Sequence, residues 1–333
     1  MGIARYYEPR KSNEKETAQF TTTLLTNMKV LVATEKPFAK VAVDGIREVV
    51  EGAGMTLVLL EKYTKKEQLL EAVADADALI VRSDIVDAAV VDAAKNLKIV
   101  VRAGAGFDNL DLEACTAHGV VAMNTPGQNS NAVAELALGL MVYAVRNFYN
   151  GTSGTELMGK TLGIHAYGNV GRNVARIAKG FGMNILAYDA YCPDERMLED
   201  GVTPVHSAAE LYAQSHVVSL HIPATPETKE SINYALLSTM PKGALLVNTA
   251  RKEVIKEDEL VQLMQDRPDF RYVTDIMPAA DNKFTELFAD RYFATPKKSG
   301  AQTAEANINA GIAAARQIVD FLLNGNTKFQ LNK

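Results

Sequence analysis

Residues 161–189 read TLGIHAYGNVGRNVARIAKGFGMNILAYD. A short apolar run ends at His165 and a turn follows, Ala166-Tyr167-Gly168-Asn169-Val170-Gly171. The chain then takes up helical periodicity, and a second apolar run closes on Asp189. This is strand, turn, helix, strand with the G-x-G-x-x-G spacing, alanine standing at the first glycine position. Gly168 lets backbone approach a pyrophosphate, which sits against Asn169 and Val170 on the positive end of the helix. Gly171 lets helix and strand pack closely. Asp189, about 20 residues beyond Gly168, is placed to accept from both ribose hydroxyls and to repel a 2′-phosphate, which favours NAD over NADP. Alanine in place of the first glycine predicts a slightly less tight turn.

Outward from this unit the same alternation continues. On the N-terminal side, KVLVA, TLVLLE, ALIVRS, KIVVRAG and VVAMNT are continuous apolar runs separated by helical stretches; on the C-terminal side so are HVVSLHIP, LLVNTA, YVTDIM and YFATP. Continuous rather than alternating apolar strands mean a parallel sheet covered on both faces. The chain is therefore α/β, with two doubly wound halves that are not a sequence repeat. NSNAVAELALGLMVYAVRNF forms a long helix between them, with Ser130 or Asn131 as its cap, and a last helix closes at Gly325.

Composition narrows the classes. Of 333 residues, 47% are apolar and 23% charged, ordinary for a globular protein of about two domains. A net charge of −5 provides no field for nucleic acid or an anionic membrane. Two cysteines, Cys115 and Cys192, make neither a disulfide framework nor a zinc set, which points to the cytoplasm. No cluster of side chains has metal-ligand spacing, so no metal is expected. The most apolar run, AELALGLMVYAV, is too short to span a bilayer. Residues 1–27 form a polar tail without the apolar core of a secretory signal.

The motifs ALIVRS, VVRAGAGFDNLDLEA, VAMNTPGQNSNAVAELALGLM, GKTLGIHAYGNVGRNVARIAKGFGMNILAYD, SLHIPATPETKESIN, PKGALLVNTARKEVIKEDEL and ATPKKSGAQTAEA, in this order, resemble the D-isomer-specific 2-hydroxyacid dehydrogenases. The match runs from about Met28 to the end and is strongest to short forms of the branch acting on D-3-phosphoglycerate. The resemblance implies a Rossmann cofactor domain over 126–302. It implies a flavodoxin-like substrate domain over 28–125 plus 303–333, with a cleft between the two. It further implies homodimers paired through the helix at 130–148, and NAD-dependent oxidation of D-3-phosphoglycerate to 3-phosphohydroxypyruvate in serine synthesis. Glycerate or hydroxypyruvate chemistry is one alternative, and a catalytically silent NAD-binding protein is another. No regulatory domain, and hence no feedback by serine, is expected after Lys333.

The resemblance also assigns residues. Arg251 matches the arginine that polarises the substrate oxygen and holds its carboxylate. Ile222, Thr249 and Ala250 lie in cofactor loops, and Asp275 matches the aspartate that fixes the nicotinamide carboxamide. Arg82, Ser83 and Arg102 face the substrate, the two arginines suiting a phosphate, and the backbone of Ala103, Gly104, Ala105 and Gly106 suits its carboxylate. The family's acid–base is a histidine oriented by a glutamate. Here the glutamate position is Ala280, with Asp281 beside it, and no histidine follows His221. Thr295-Pro296 places Lys297 at the histidine position; GAQTAEA places Lys298 there. A lysine takes that role only if burial or a neighbour such as Arg251 eases loss of its proton. His165 and His221 read as structural.

Overall fold

The computed structural model describes residues 28–333; the tail expected at 1–27 lies outside the described residues. Contacts divide the chain into two compact units, one running to Pro126 and resuming at Asn307–Lys333, the other Gly127–Ala306.

The first unit runs β1 (Lys29–Thr34), α1 (Lys40–Gly52), β2 (Thr56–Glu61), α2 (Lys66–Val73), β3 (Ala78–Val81), α3 (Ala88–Ala93), β4 (Ile99–Arg102), α4 (Leu112–Ala117) and β5 (Val121–Asn124). Its strands are all parallel in the order β2-β1-β3-β4-β5, the flavodoxin-like order. Alternation along β1 feeds two cores. Val30 and Val32 pack under α1 with Ala314 and Ile318, while Leu31 and Ala33 pack with Leu69, Val90 and Cys115 on the other face. Helices cover both faces, so strand positions pointing either way must be apolar, as the continuous runs require.

The second unit begins with α5 (Ser130–Val145). It continues β6 (Thr161–His165), α6 (Asn169–Gly180), β7 (Asn184–Tyr188), α7 (Asp194–Glu199), β8 (Thr203–Pro204), α8 (Ala208–Gln214), β9 (Val217–Leu220), α9 (Tyr234–Ser238), β10 (Leu245–Asn248), α10 (Glu257–Asp266), β11 (Arg271–Thr274), α11 (Asp281–Phe288) and β12 (Tyr292–Ala294); the last helix, α12 (Ala304–Asn324), belongs to the first unit from Asn307 on. Its seven parallel strands stand in the order β12-β11-β10-β9-β6-β7-β8, which reverses direction between β6 and β9. That switch point is where an open α/β sheet leaves a crevice at the carboxyl ends of its strands.

Two local expectations are corrected. The N-cap of α5 is Asn129, with no side-chain cap bond. Ser130 Oγ instead donates to Gly127 O (2.6 Å) and accepts from Asn173 Nδ2 on α6 (3.1 Å), while Asn131 bonds Glu135. The turn at Ala166 is not relaxed: Ala166 sits at φ +80°, the left-handed region where a glycine would rest without strain. Among the described residues no helix is long and apolar enough to cross a membrane, and no three His, Cys, Asp or Glu side chains group to hold a metal ion.

His165 and His221 lie at adjacent strand ends of this sheet. His165 is buried, its Nδ1 3.1 Å from Tyr212 Oη, and burial pulls its pKa down to about 4 against the opposing charge of Asp189. His221 is half-buried, but its Nε2 is sealed without a partner; burial and then His165 pull it down to about 3. Both imidazoles are neutral in the folded chain, whereas an unfolded histidine takes a proton near pH 6.5. Stability is therefore full above about pH 6.5 and falls as acid charges the unfolded chain, by about 2 kcal/mol per histidine at pH 5. The melting temperature should drop between pH 7 and pH 5, and His221→Gln should shrink the drop. A melting temperature flat across that range would refute this.

Candidate active site

Because all seven strands are parallel, the segments after β6, β7, β9, β10, β11 and β12 emerge at one edge of the second sheet. The residues singled out in that half of the sequence lie there.

The glycine turn comes first. Gly168 is the N-cap of α6 at φ −79°, ψ −160°, a conformation open to any residue, and no side chain caps the helix. A Cβ on Gly168 would meet nothing within 4 Å. Neither backbone geometry nor packing within the chain demands glycine there, so the space it leaves fits a group from outside. Gly171 differs: a Cβ would lie 2.4 Å from Ala166 O, so close helix–strand packing requires its absence. The first bond of α6 is Arg172 N to Gly168 O (3.0 Å), leaving the amides of Asn169, Val170 and Gly171 for an anion. The left-handed alanine before them costs about 1–2 kcal/mol.

The Asp189 carboxylate closes this turn. Its Oδ2 accepts from Tyr167 N (2.7 Å), and its Oδ1 from Tyr191 N (2.8 Å) and Cys192 N (3.0 Å). Beyond β9, Ile222 is buried. After β10 the Asn248 side chain shapes a tight bend, accepting from Ala250 N (2.9 Å) and donating to Arg251 O (2.9 Å). Within the bend Thr249 is buried with its Oγ1 unpartnered, and Arg251 is exposed, one Nη1 bond going back to Ala250 O. An open glycine, three free amides and an orphaned buried hydroxyl are what a dinucleotide would fill and satisfy.

Asp275, after β11, is fully buried. Its Oδ1 accepts from Ser299 N (2.6 Å) and its Oδ2 from Gly300 N (2.8 Å), and Thr295 Oγ1 lies 3.1 Å from Oδ1. The carboxylate thus folds the loop that carries Lys297 and Lys298. The carbonyl of Lys297 is also held, by Thr295 Oγ1 and Ser299 Oγ, each at 2.8 Å. Both lysine side chains are exposed, so this loop supplies no burial of its own to ease loss of a proton. Asp281 does not replace the missing glutamate: its Oδ1 accepts from Tyr292 Oη at 2.5 Å. Glu257 is committed likewise, to the amides of Ala279 (3.0 Å) and Ala280 (2.7 Å) ahead of α11.

In the first unit, the ends of β3 and β4 bring Arg82 and Arg102 together. Arg102 Nε donates to Arg82 O (3.0 Å). Arg82 lies over the Phe38 ring and donates to Lys36 O (3.1 Å) and Asn307 Oδ1 (2.7 Å). Burial lowers the pKa of both guanidiniums, and the charge of Arg82 lowers that of Arg102 further. Neither has a carboxylate partner among the described ion pairs. Ser83 beside them is exposed. Of the amides proposed for a carboxylate, Ala103 N goes to Val81 O (2.8 Å) and Gly104 N to Thr125 Oγ1 (2.7 Å). Those of Ala105 and Gly106 are the ones left to bind an anion. Gly104, at φ +147°, leaves room for the Arg102 guanidinium, which would lie 1.6 Å from its Cβ.

The sequence pattern did not indicate the supports: Tyr167, Asp200, Asn248, Thr295 and Asn307. Tyr167, Asn248 and Thr295 lie inside quoted motifs but at positions to which no role was assigned, and the pairings of Tyr167 with Asp200 and of Asn307 with Arg82 span 33 and 225 residues.

Residues 137–296 match the family model described as D-isomer specific 2-hydroxyacid dehydrogenase, NAD binding domain. A D-3-phosphoglycerate dehydrogenase of Methanocaldococcus jannaschii is 39% identical over 76% of this chain and 51% of its own length. A hydroxypyruvate reductase of Thermotoga maritima is 35% identical over 79% of this chain and 90% of its own. The chain spans about half the length of most of the curated D-3-phosphoglycerate dehydrogenases it matches. Among solved structures, an NAD+-bound 3-phosphoglycerate dehydrogenase of Entamoeba histolytica superimposes with a TM-score of 0.79 at 49% identity, covering 92% of this chain and 99% of that one.

The Asp275 anchor predicts a concrete loss. In Asp275→Ala the amides of Ser299 and Gly300 lose their acceptor, at a cost of about 2–4 kcal/mol in all. The variant should melt earlier, and trypsin should cut faster after Lys297 or Lys298. Unchanged melting and unchanged cleavage at these lysines would show that the loop holds without the carboxylate.

Proposed function

The chain belongs to the D-isomer-specific 2-hydroxyacid dehydrogenases, and from that premise we propose that it oxidises D-3-phosphoglycerate to 3-phosphohydroxypyruvate with NAD. The observation that carries the substrate is the arginine pair. Two partly buried guanidiniums side by side, with Asp84 and Asp108 near enough to favour their charge but neither in ion-pair contact, are costly unless a further anion joins them. A phosphate takes two such forks at once.

The residues divide the work. Arg102 and Arg82 bind the phosphate, and the amides of Ala105 and Gly106 take the carboxylate. Arg251 holds the carboxylate end and polarises the oxygen on C2. Bound NAD supplies the acceptor for the hydride leaving C2. Asp189, Thr249 and the amides of Asn169 to Gly171 bind and orient that cofactor. The hydroxyl proton passes to the neutral amine of Lys297 or Lys298, which stands where the family keeps histidine. Arg251 is the cation assigned to the same chemistry, and its charge would favour the neutral form of such an amine.

We further propose a homodimer paired through α5, whose Ala132, Leu136, Gly139 and Tyr143 stay partly or fully exposed, with Asn131 and Glu135 also exposed on the same helix. A cytoplasmic setting fits the two free thiols, Cys115 and Cys192. Hydroxypyruvate or glycerate chemistry is the second reading, favoured by the Thermotoga maritima relative matched over 90% of its length.

One set of assays tests the reading: NADH formation from 3-phosphoglycerate, glycerate and lactate in parallel. Arg102→Ala is preferred to Arg82→Ala, because Arg82 also braces Asn307 and a loop carbonyl. Arg102→Ala should raise KM for 3-phosphoglycerate about ten- to hundredfold, with much less change for glycerate. Equal losses would refute a phosphate site and favour glycerate chemistry; no turnover of any hydroxy acid would favour the silent protein.

The lysines are tested by kcat. One of Lys297→Ala and Lys298→Ala should lower kcat about a hundredfold or more, and the other far less. Because the neutral amine takes the proton, oxidation should climb toward alkaline pH and reduction toward lower pH. No step near pH ~6.5 should appear, since no imidazole is involved. Two variants with near-full kcat and an unaltered profile would remove lysine from the mechanism.

A further inference from the structure

We propose that Tyr167 is a positioning residue for the dinucleotide, clamping the glycine turn in the left-handed conformation that Ala166 resists. The inference rests on the reading that this turn binds NAD; it does not depend on which hydroxy acid is oxidised.

A family turn that begins with glycine needs no clamp, because glycine rests at positive φ. Here the residue is alanine at φ +80°. Left alone, it would swing back toward the right-handed or extended regions. Its carbonyl fills the space above Gly171, so any such swing shifts the first turn of α6 against β6. The free amides of that turn, the ones an incoming pyrophosphate would meet, move with it.

Tyr167 is the next residue and is held at both ends. Its backbone N–H donates to Asp189 Oδ2 (2.7 Å). Its ring is 2% exposed, in the cluster that also holds Val174, Met197 and Val202. Its hydroxyl donates to Asp200 Oδ2 (3.2 Å). The same oxygen accepts from Arg172 Nε (3.1 Å), one residue beyond Gly171, while Arg196 Nη2 on α7 lies 3.6 Å from Oδ1. Lys179, two turns along α6, donates to the Asp200 carbonyl. One carboxylate thus ties turn, helix and the following helix together. The tie leads back through the Tyr167 amide to the acid placed for the ribose. Nothing in this network touches the cofactor's reacting atoms, so its effect is on affinity rather than on the chemical step.

The test is a four-member cycle: the unmutated chain, Tyr167→Phe, Ala166→Gly and the double variant. NADH is titrated by fluorescence without substrate. Tyr167→Phe keeps the buried ring and loses only the hydroxyl. It should weaken NADH binding about tenfold, the scale of one hydrogen bond to a charged group. Maximal turnover at saturating NAD should stay within about twofold. Once Ala166→Gly has removed the strain, adding Tyr167→Phe should cost less than about threefold. Should Tyr167→Phe unfold, Asp200→Asn gives the same cycle from the acceptor side. Equal NADH affinity in Tyr167→Phe overturns the clamp. So does an equal loss in both backgrounds, which would mark Tyr167 as packing alone. If the unmutated chain binds no NADH, the cofactor reading falls and this inference with it. If it binds NADH but oxidises no hydroxy acid, only the proposed reaction falls.

Discussion

The carboxylate of Asp275 is the group on which the loop bearing the lysine pair depends. A carboxylate taken fully out of water costs several kcal/mol unless its oxygens are met by donors. Here the donors are the amides of Ser299 and Gly300, with the Thr295 hydroxyl beside them. The loop cannot be rebuilt without stranding the carboxylate, and the carboxylate cannot turn away without stranding the amides. Gly300 is fixed by the same contact, since a Cβ would lie 2.8 Å from Oδ2. Lys297 and Lys298 hang from a backbone defined by a neighbouring strand end, with their side chains exposed.

Much of this was legible in the sequence because the determining features are local. Continuous apolar runs such as KVLVA and LLVNTA indicate strands buried on both faces, and parallel pairing follows from that. The glycine turn carries its own register: strand before, helix after, acid at the end of the next strand. Gly325 marks the end of the last helix by its left-handed φ of +67°, with its N–H bonded to Phe321 O (2.8 Å).

What the sequence hid was either too short or too distant. The helices Asp194–Glu199, Tyr234–Ser238 and Asp281–Phe288 have at most eight residues. Two turns are too few for a 3.6-residue period to stand out from a loop. The cap of α5 was misplaced because Ser130 satisfies Gly127 and Asn173 instead of its own helix, a choice made by tertiary neighbours. The strain at Ala166 was misread for a related reason. Propensity argues that alanine should loosen the turn, whereas the contacts of Tyr167 with Asp189 and Asp200, 22 and 33 residues away, leave it tight.

The fate of the carboxylates around Ala280 gives the absent glutamate a physical meaning. A histidine acid–base needs an acceptor to fix its tautomer and to stabilise its cation. A lysine has no tautomer to fix, and a carboxylate at hydrogen-bond distance would hold its proton in place. Asp281 and Glu257, the acids nearest the vacant position in sequence or in space, are both turned to folding. One accepts from the Tyr292 hydroxyl and the other from the amides of Ala279 and Ala280. Their bonds leave neither poised toward a substrate. The proposed amine acid–base and two acids held in structural bonds are mutually consistent. A free glutamate at 280 beside an amine acid–base would work against the neutral amine by holding its proton.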